Sequence, residues 1–155
     1  MLTRSITCSP DIGIMKDTSA FRKFIKAYQK SEVIFEENAS GNEMYVIHSG
    51  KVKLTTSKMG REVTLATLGS GEFFGEMALV DSSPRTAKAI AAEDNTRLVT
   101  LDQDKFLYLV GQQPAFALTI MHELCRRIRE RWILYDTLLE EKAEQAKKPA
   151  KRKPR

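Results

Sequence analysis

The feature that most narrows the fold is a change of hydrophobic period at Pro114. Before it, short β-favouring runs alternate with Gly and Asn punctuation. The runs cover 33–35, 44–48, 51–55 and 62–68, followed by AKAIAAED (87–94) and TRLVTLD (96–102). Lys58-Met59-Gly60-Arg61 reads as a turn between two of them, and Gly69 and Gly71 as breaks. Strands this short and this evenly spaced predict a small sandwich, jelly roll or barrel. After Pro114, residues 115–146 contain neither Gly nor Pro, and helix formers dominate.

Along that predicted helix, Met121, Leu124, Ile128, Arg131, Tyr135 and Leu138 follow steps of three and four. A period of 3.5 favours the pairing of two helices, so a homodimer seam is expected. Ile120, Trp132, Ile133 and Leu139 widen the stripe, and part of the helix could instead lie against the β body. Upstream of the strands, Phe21, Phe24, Ile25 and Tyr28 fall on one helical face, with Asp17, Thr18 or Ser19 able to cap it. This predicts an N-terminal helix over 17–30.

A chain of 155 residues, 42% apolar and 29% charged, suits one globular domain. No run approaches the roughly 18 apolar residues of a membrane span, and the N-terminus lacks a secretory apolar core. A cytoplasmic protein is the expectation. Cys8 and Cys125 form no spaced motif and read as reduced thiols. The last nine residues, KKPAKRKPR, carry six basic groups and no acid, more than the whole net charge of +5. The remainder is close to neutral. Residues 147–155 therefore read as a basic disordered tail, either a solvated segment or a nonspecific contact with nucleic acid.

Chemistry concentrates in FFGEMALVDSSPRTA (73–87). Gly75-Glu76-Met77-Ala78-Leu79 starts a short helix at a glycine, where backbone N–H groups attract an anion. Arg85 follows, between Pro84 and the small residues Thr86 and Ala87. A guanidinium can meet a phosphate through two parallel hydrogen bonds. Glu76 can only accept, so beside a phosphate it should face hydroxyl groups. Together these describe a sugar-phosphate or nucleotide site. The bland alternative is a salt bridge between Glu76 and Arg85, or two solvated charges. His48 and His122 lie on different predicted elements and make no metal-ligand pattern. No catalytic constellation can be picked out, and neither catalysis, a metal nor a cofactor is expected.

GEFFGEMAL followed by SSPRTA resembles the phosphate-binding cassette of cyclic-nucleotide-binding domains, a family that includes regulatory subunits of cyclic-AMP-dependent protein kinase and the bacterial catabolite activator. GNEMYVIHSGKVKL is similar to that family's Gly-x-x-x-Tyr-x-Ile-x-x-Gly-x-Val strand pair. The resemblance implies a mainly β domain over 17–146, after an extension at 1–16. The fold would be an eight-stranded, jelly-roll-like β-roll, with an N-terminal helix and a long C-terminal helix at about 115–146.

It also implies site roles. Glu76 would accept from the ribose 2′-hydroxyl, and the amides of Gly75 and Met77 would line the sugar phosphate. Arg85 would pair with the cyclic phosphate, helped by Thr86 and the Ala87 amide. Leu54 and Leu65 would wall the base pocket. The family's helix cap on the purine falls here on Arg131 or Trp132, although Trp132 could equally be a helix-to-roll contact. Thr86 stands where a hydroxyl is associated with tolerance of a guanine amino group, so cyclic AMP leads and cyclic GMP stays open.

Ser31 and Asn38 stand where relatives often have glycine, and Lys88 is unusual beside a base pocket unless it points outward. No segment after the long helix corresponds to the helix-turn-helix of the bacterial activators. The expected function is thus a cyclic-nucleotide sensor that resets its helix seam on binding and signals through an unidentified downstream protein. The rival expectations are an empty dimeric scaffold, or a small nucleic-acid-binding protein acting through the tail.

Overall fold

The computed structural model describes residues 22–147, in two compact units that divide after Phe116. The first unit begins with a single 3-10 turn at Arg22–Phe24. Eight strands follow: β1 (Ile25–Tyr28), β2 (Val33–Phe35), β3 (Glu43–Ser49), β4 (Val52–Lys58), β5 (Arg61–Leu68), β6 (Phe73–Phe74), β7 (Lys88–Ala91) and β8 (Thr96–Asp102). A short helix α1 (Glu76–Asp81) interrupts them between β6 and β7, and α2 (Gln103–Gln112) follows β8. The strands form two four-stranded antiparallel sheets, ordered β1-β8-β3-β6 and β2-β7-β4-β5. This is the expected β-roll. Its core is built from Tyr45, Ile47, Val52, Phe74, Ala89, Ala91 and Leu98, contributed by both sheets.

Local chemistry explains the corners. Met59 and Gly60 both have positive φ, 52° and 74°, which suits the tight turn joining β4 to β5 and matches the twist of its strands. Ser31 and Asn38 adopt φ of 69° and 63°. The two positions where relatives often carry glycine are therefore left-handed turns held by other residues. At 31 the turn is fixed by a bond from the Ser31 amide to the Ala91 carbonyl, 2.8 Å.

The stripe at 17–30 is corrected over 25–28, which is strand β1, not helix. Ile25 to Tyr28 pair with Val99 to Thr96 of β8, and that pairing overrides the helical spacing. The β-branched Ile25 and aromatic Tyr28 suit a strand as well as a helix face. Residues 17–21, the extension at 1–16 and the tail beyond Lys147 lie outside the described residues.

Helix α3 (Pro114–Lys147) begins at the predicted proline, and most of it forms the second unit. Glu123, only 2% exposed, anchors a turn of it. Arg126 donates to both Glu123 oxygens, through Nε at 2.8 Å and Nη2 at 2.5 Å, and Arg127 Nε donates to Glu123 Oε1 at 3.0 Å. Met121, Ile128, Tyr135 and Leu138 of the predicted seam are exposed on the single chain. Among the described residues, no helix is long and apolar enough to cross a membrane.

Candidate functional site

The site grows from strand β6. Phe73 and Phe74 are buried and pair with Val46 and Tyr45 of β3, which fixes where the next residue emerges. That residue, Gly75, has φ +79° and turns the chain straight into α1. Ala78 and Leu79 bury the inner face of α1, while Met77 stays 49% exposed. Ser82, at φ 56°, ends the helix, and the Ser83 amide donates to Asp81 Oδ1 at 2.9 Å. The chain thus reverses within a few residues and delivers Pro84 and Arg85 back against the roll.

Arg85 is held at both ends. Its amide donates to the Ala39 carbonyl at 2.9 Å, and its own carbonyl accepts from the Asn38 amide at 2.8 Å. The side chain folds inward and is only 4% exposed. Nη1 donates to the carbonyls of Glu43, at 2.7 Å, and Gly75, at 3.0 Å. The guanidinium carbon lies 4.2 Å from the centroid of the Phe35 ring and 5.8 Å from that of Tyr45. Beneath it, Tyr45 stacks on Phe74, with centroids 5.2 Å apart and planes 17° from parallel. The Tyr45 hydroxyl donates to Glu43 Oε2 at 2.9 Å. Burial and that hydrogen bond both push the phenol well above its ordinary range, so it stays a neutral donor.

The hydrogen bonds of Arg85 go to backbone carbonyls and not to Glu76, so the salt bridge weighed from the sequence does not form. Arg85 Nε is buried with no partner. A buried cation is normally paired with an opposite charge or fully hydrogen-bonded. Among the described residues, this one meets only neutral carbonyls and aromatic faces.

The other expected residues distribute as follows. Gly75 and Arg85 are in direct contact. Thr86 is exposed, with its Oγ1 4.0 Å from the Met77 sulfur, and Ala87 is buried. Leu54, on β4, is half-buried, packs on the core and pairs with Ala89, two residues beyond Ala87. Leu65 is the extra residue where the pairing shifts from Leu54–Ala66 to Thr55–Thr64, and it is exposed. Lys88 turns to Glu36, its Nζ 3.3 Å from Oε1. Arg131 and Trp132 lie on α3 in the second unit, both exposed.

Sequence reasoning missed the seat of Arg85: Phe35, the Glu43 carbonyl and Gly41. The Gly41–Tyr45 spacing marked two of its neighbours without revealing their task. Nothing in the sequence singled out Phe35.

Comparison with known proteins identifies the family. The cyclic nucleotide-binding domain model matches residues 25–113, more than half of the chain. The cyclic AMP receptor protein of Thermus thermophilus is 40% identical over 119 residues, covering 76% of this chain and 55% of that protein. The human cGMP-dependent protein kinase 2 is 34% identical over 89 residues, covering 56% of this chain and 12% of the kinase. The crystal structure of the Thermus thermophilus catabolite activator protein superposes with a TM-score of 0.68 at 39% identity, over 74% of this chain and 54% of that one. The chain spans about half the length of the receptor it matches. Taken with the two-sheet roll and the Gly75–Arg85 cassette, these matches show that the chain belongs to the cyclic nucleotide-binding domain family.

Proposed function

We propose that the chain is a cyclic-nucleotide sensor that binds its ligand without altering it. The observation that carries this reading is Arg85, a buried cation beside a helix-starting glycine, with Nε unpartnered and no carboxylate among its hydrogen-bond partners. The cyclic phosphate pairs with Arg85, assisted by Thr86 and the Ala87 amide, and lies along the amides of Gly75 and Met77. Glu76 accepts from the ribose 2′-hydroxyl. Leu54 and Leu65 wall the base, and Trp132 or Arg131 of α3 covers it. Cyclic AMP is the leading ligand, by similarity to a protein named as a cyclic AMP receptor, and Thr86 leaves cyclic GMP as the alternative.

The signal is a population shift. Ligand draws α3 onto the base and so biases the arrangement of that helix in a homodimer. The exposed Met121, Ile128, Tyr135 and Leu138 of the single chain support such pairing. If one helix carries both cap and seam, affinity and dimer geometry are reciprocally linked. Output then passes to a downstream protein or through the basic tail.

Isothermal calorimetry with cyclic AMP and cyclic GMP is the test, with Arg85→Ala as control. Heat that saturates at micromolar ligand and vanishes in the variant supports the sensor. Absence of heat at high micromolar concentrations of both nucleotides points instead to an empty scaffold.

A further inference from the structure

The connection between β2 and β3 does more than join strands. Its residues Asn38 and Ala39 clasp the Arg85 main chain, and Gly41 lies against the same side chain. A Cβ built on Gly41 would stand 2.5 Å from Arg85 Nη2, 2.6 Å from Nε and 2.7 Å from Cζ. A Cβ on Gly75 would stand 2.7 Å from Nη1. The guanidinium therefore occupies a slot between two residues without side chains, with the Phe35 ring beside it. The two glycines serve different ends. Gly75 has a left-handed backbone, whereas Gly41 does not. Conformational freedom does not explain a glycine at 41, and space for the guanidinium does.

Nε and Nη2 form the edge of an arginine that can meet a phosphate through two parallel hydrogen bonds. Here they are the atoms nearest Gly41, and Nε is buried without a partner. Nη1, on the opposite side, is committed to the carbonyls of Glu43 and Gly75. Arg85 as a whole is only 4% exposed. We infer that Gly41 is a positioning residue that lets Arg85 stow its phosphate-binding edge in the ligand-free protein. Binding then requires the guanidinium to leave the Gly41 slot, and the stowed population lowers the apparent affinity. This rests on the reading that Arg85 receives the phosphate.

Gly41→Ala tests the inference, since the backbone there accepts an alanine and the methyl group fills only the slot. The first readout needs no nucleotide. The ligand-free full chain is treated with phenylglyoxal, and modification of Arg85 is followed by peptide mass spectrometry against the exposed Arg61 and Arg129. Wild-type Arg85 should react at least about tenfold more slowly than they do, and Gly41→Ala should remove most of that protection. The second readout is the association rate of cyclic AMP, which should rise several-fold in Gly41→Ala. Wild-type Arg85 reacting as fast as Arg61 overturns the inference. So does unchanged protection, or slower association, in a variant that keeps its cooperative melting transition.

Should Gly41→Ala fail to fold, exchange of the Arg85 Nε–H in 15N-arginine-labelled wild type decides. Slow exchange supports the slot, and exchange at the rate of the exposed arginines overturns it. Both nucleotide-free readouts can fail while calorimetry still finds binding, and binding can be absent while they succeed. The two readings therefore fall separately.

Discussion

Phe35 lies face to face with a cation: its ring centroid is 4.2 Å from the guanidinium carbon of Arg85. The contact joins β2 to the cassette and sets Arg85 above the stacked rings of Tyr45 and Phe74. A positive charge is thus kept in the roll by aromatic faces and two main-chain carbonyls.

Removing that cation should be felt twice. Charge-assisted hydrogen bonds contribute roughly 1.5–3 kcal/mol, so Arg85→Ala should weaken cyclic AMP binding by about ten- to a hundredfold or more. It also strips the donor from the Glu43 and Gly75 carbonyls, and should cost about 1–3 kcal/mol of stability without ligand. Thermal melts with and without nucleotide separate the two effects. At ligand about a hundredfold above Kd the wild type gains about 2.7 kcal/mol, and the variant at the same concentration should gain far less.

Glu76 is tested by its substrate atom. Glu76→Gln should cost about tenfold in affinity for cyclic AMP and almost nothing for 2′-deoxy cyclic AMP. Calorimetry on the four combinations gives the coupling directly. Equal losses for both ligands would detach Glu76 from the ribose hydroxyl.

Trp132 is the single tryptophan of the chain and is 71% exposed. If it closes over the base, cyclic AMP should quench or blue-shift its emission, and Trp132→Leu should weaken binding by about tenfold. A saturating titration with no spectral change assigns the cap to Arg131 or to neither residue.

Acid should loosen α3 through Glu123. Burial alone would push this carboxyl up, yet the hydrogen bonds and charges of Arg126 and Arg127 bring it below its ordinary value of 4.5. A lowered folded-state value means stability that is fully present above 4.5 and lost as pH falls through the folded value. Melting temperatures measured from pH 6 down to pH 3 should therefore drop less in Glu123→Gln than in the wild type. Parallel curves would show that Glu123 gives no pH-dependent support.

The left-handed serine offers a gain. Ser31 sits at φ 69°, a region costly for residues with a Cβ. Ser31→Gly should raise stability by about 0.5–1 kcal/mol in chemical denaturation, net of the extra freedom glycine gives the unfolded chain.

Much of this was legible because the residues concerned act through local rules. The turn at Met59–Gly60, the start of α3 at Pro114 and six of the eight strands follow from turn chemistry and hydrophobic period. β1 carries a helical spacing, with Phe24, Ile25 and Tyr28 on one helical face, and its partner β8 lies some seventy residues away. β6 has only two residues, too few to show any period. A local cue for α2 is Asp102 before it, which accepts from the Lys105 amide at 2.9 Å. At the site, the motif marked Glu76 and Arg85, while the seat of Arg85 depends on Phe35 of β2 and Gly41 of the β2–β3 connection, which reach it from distant parts of the chain. Tertiary contact of that kind leaves no local signature.

The pairing of β1 with β8 also sets when the domain can come into being. Strands β1 and β3 both flank β8, so one sheet has no centre until Asp102 has been made. During synthesis the cassette at 73–87 emerges before that strand exists, and β6, on which it stands, has only β3 to hold it. Such long-range closure slows folding relative to helical domains of similar size. A nascent chain halted just before β8 would carry the whole 73–87 motif and still have no finished roll on which to mount it.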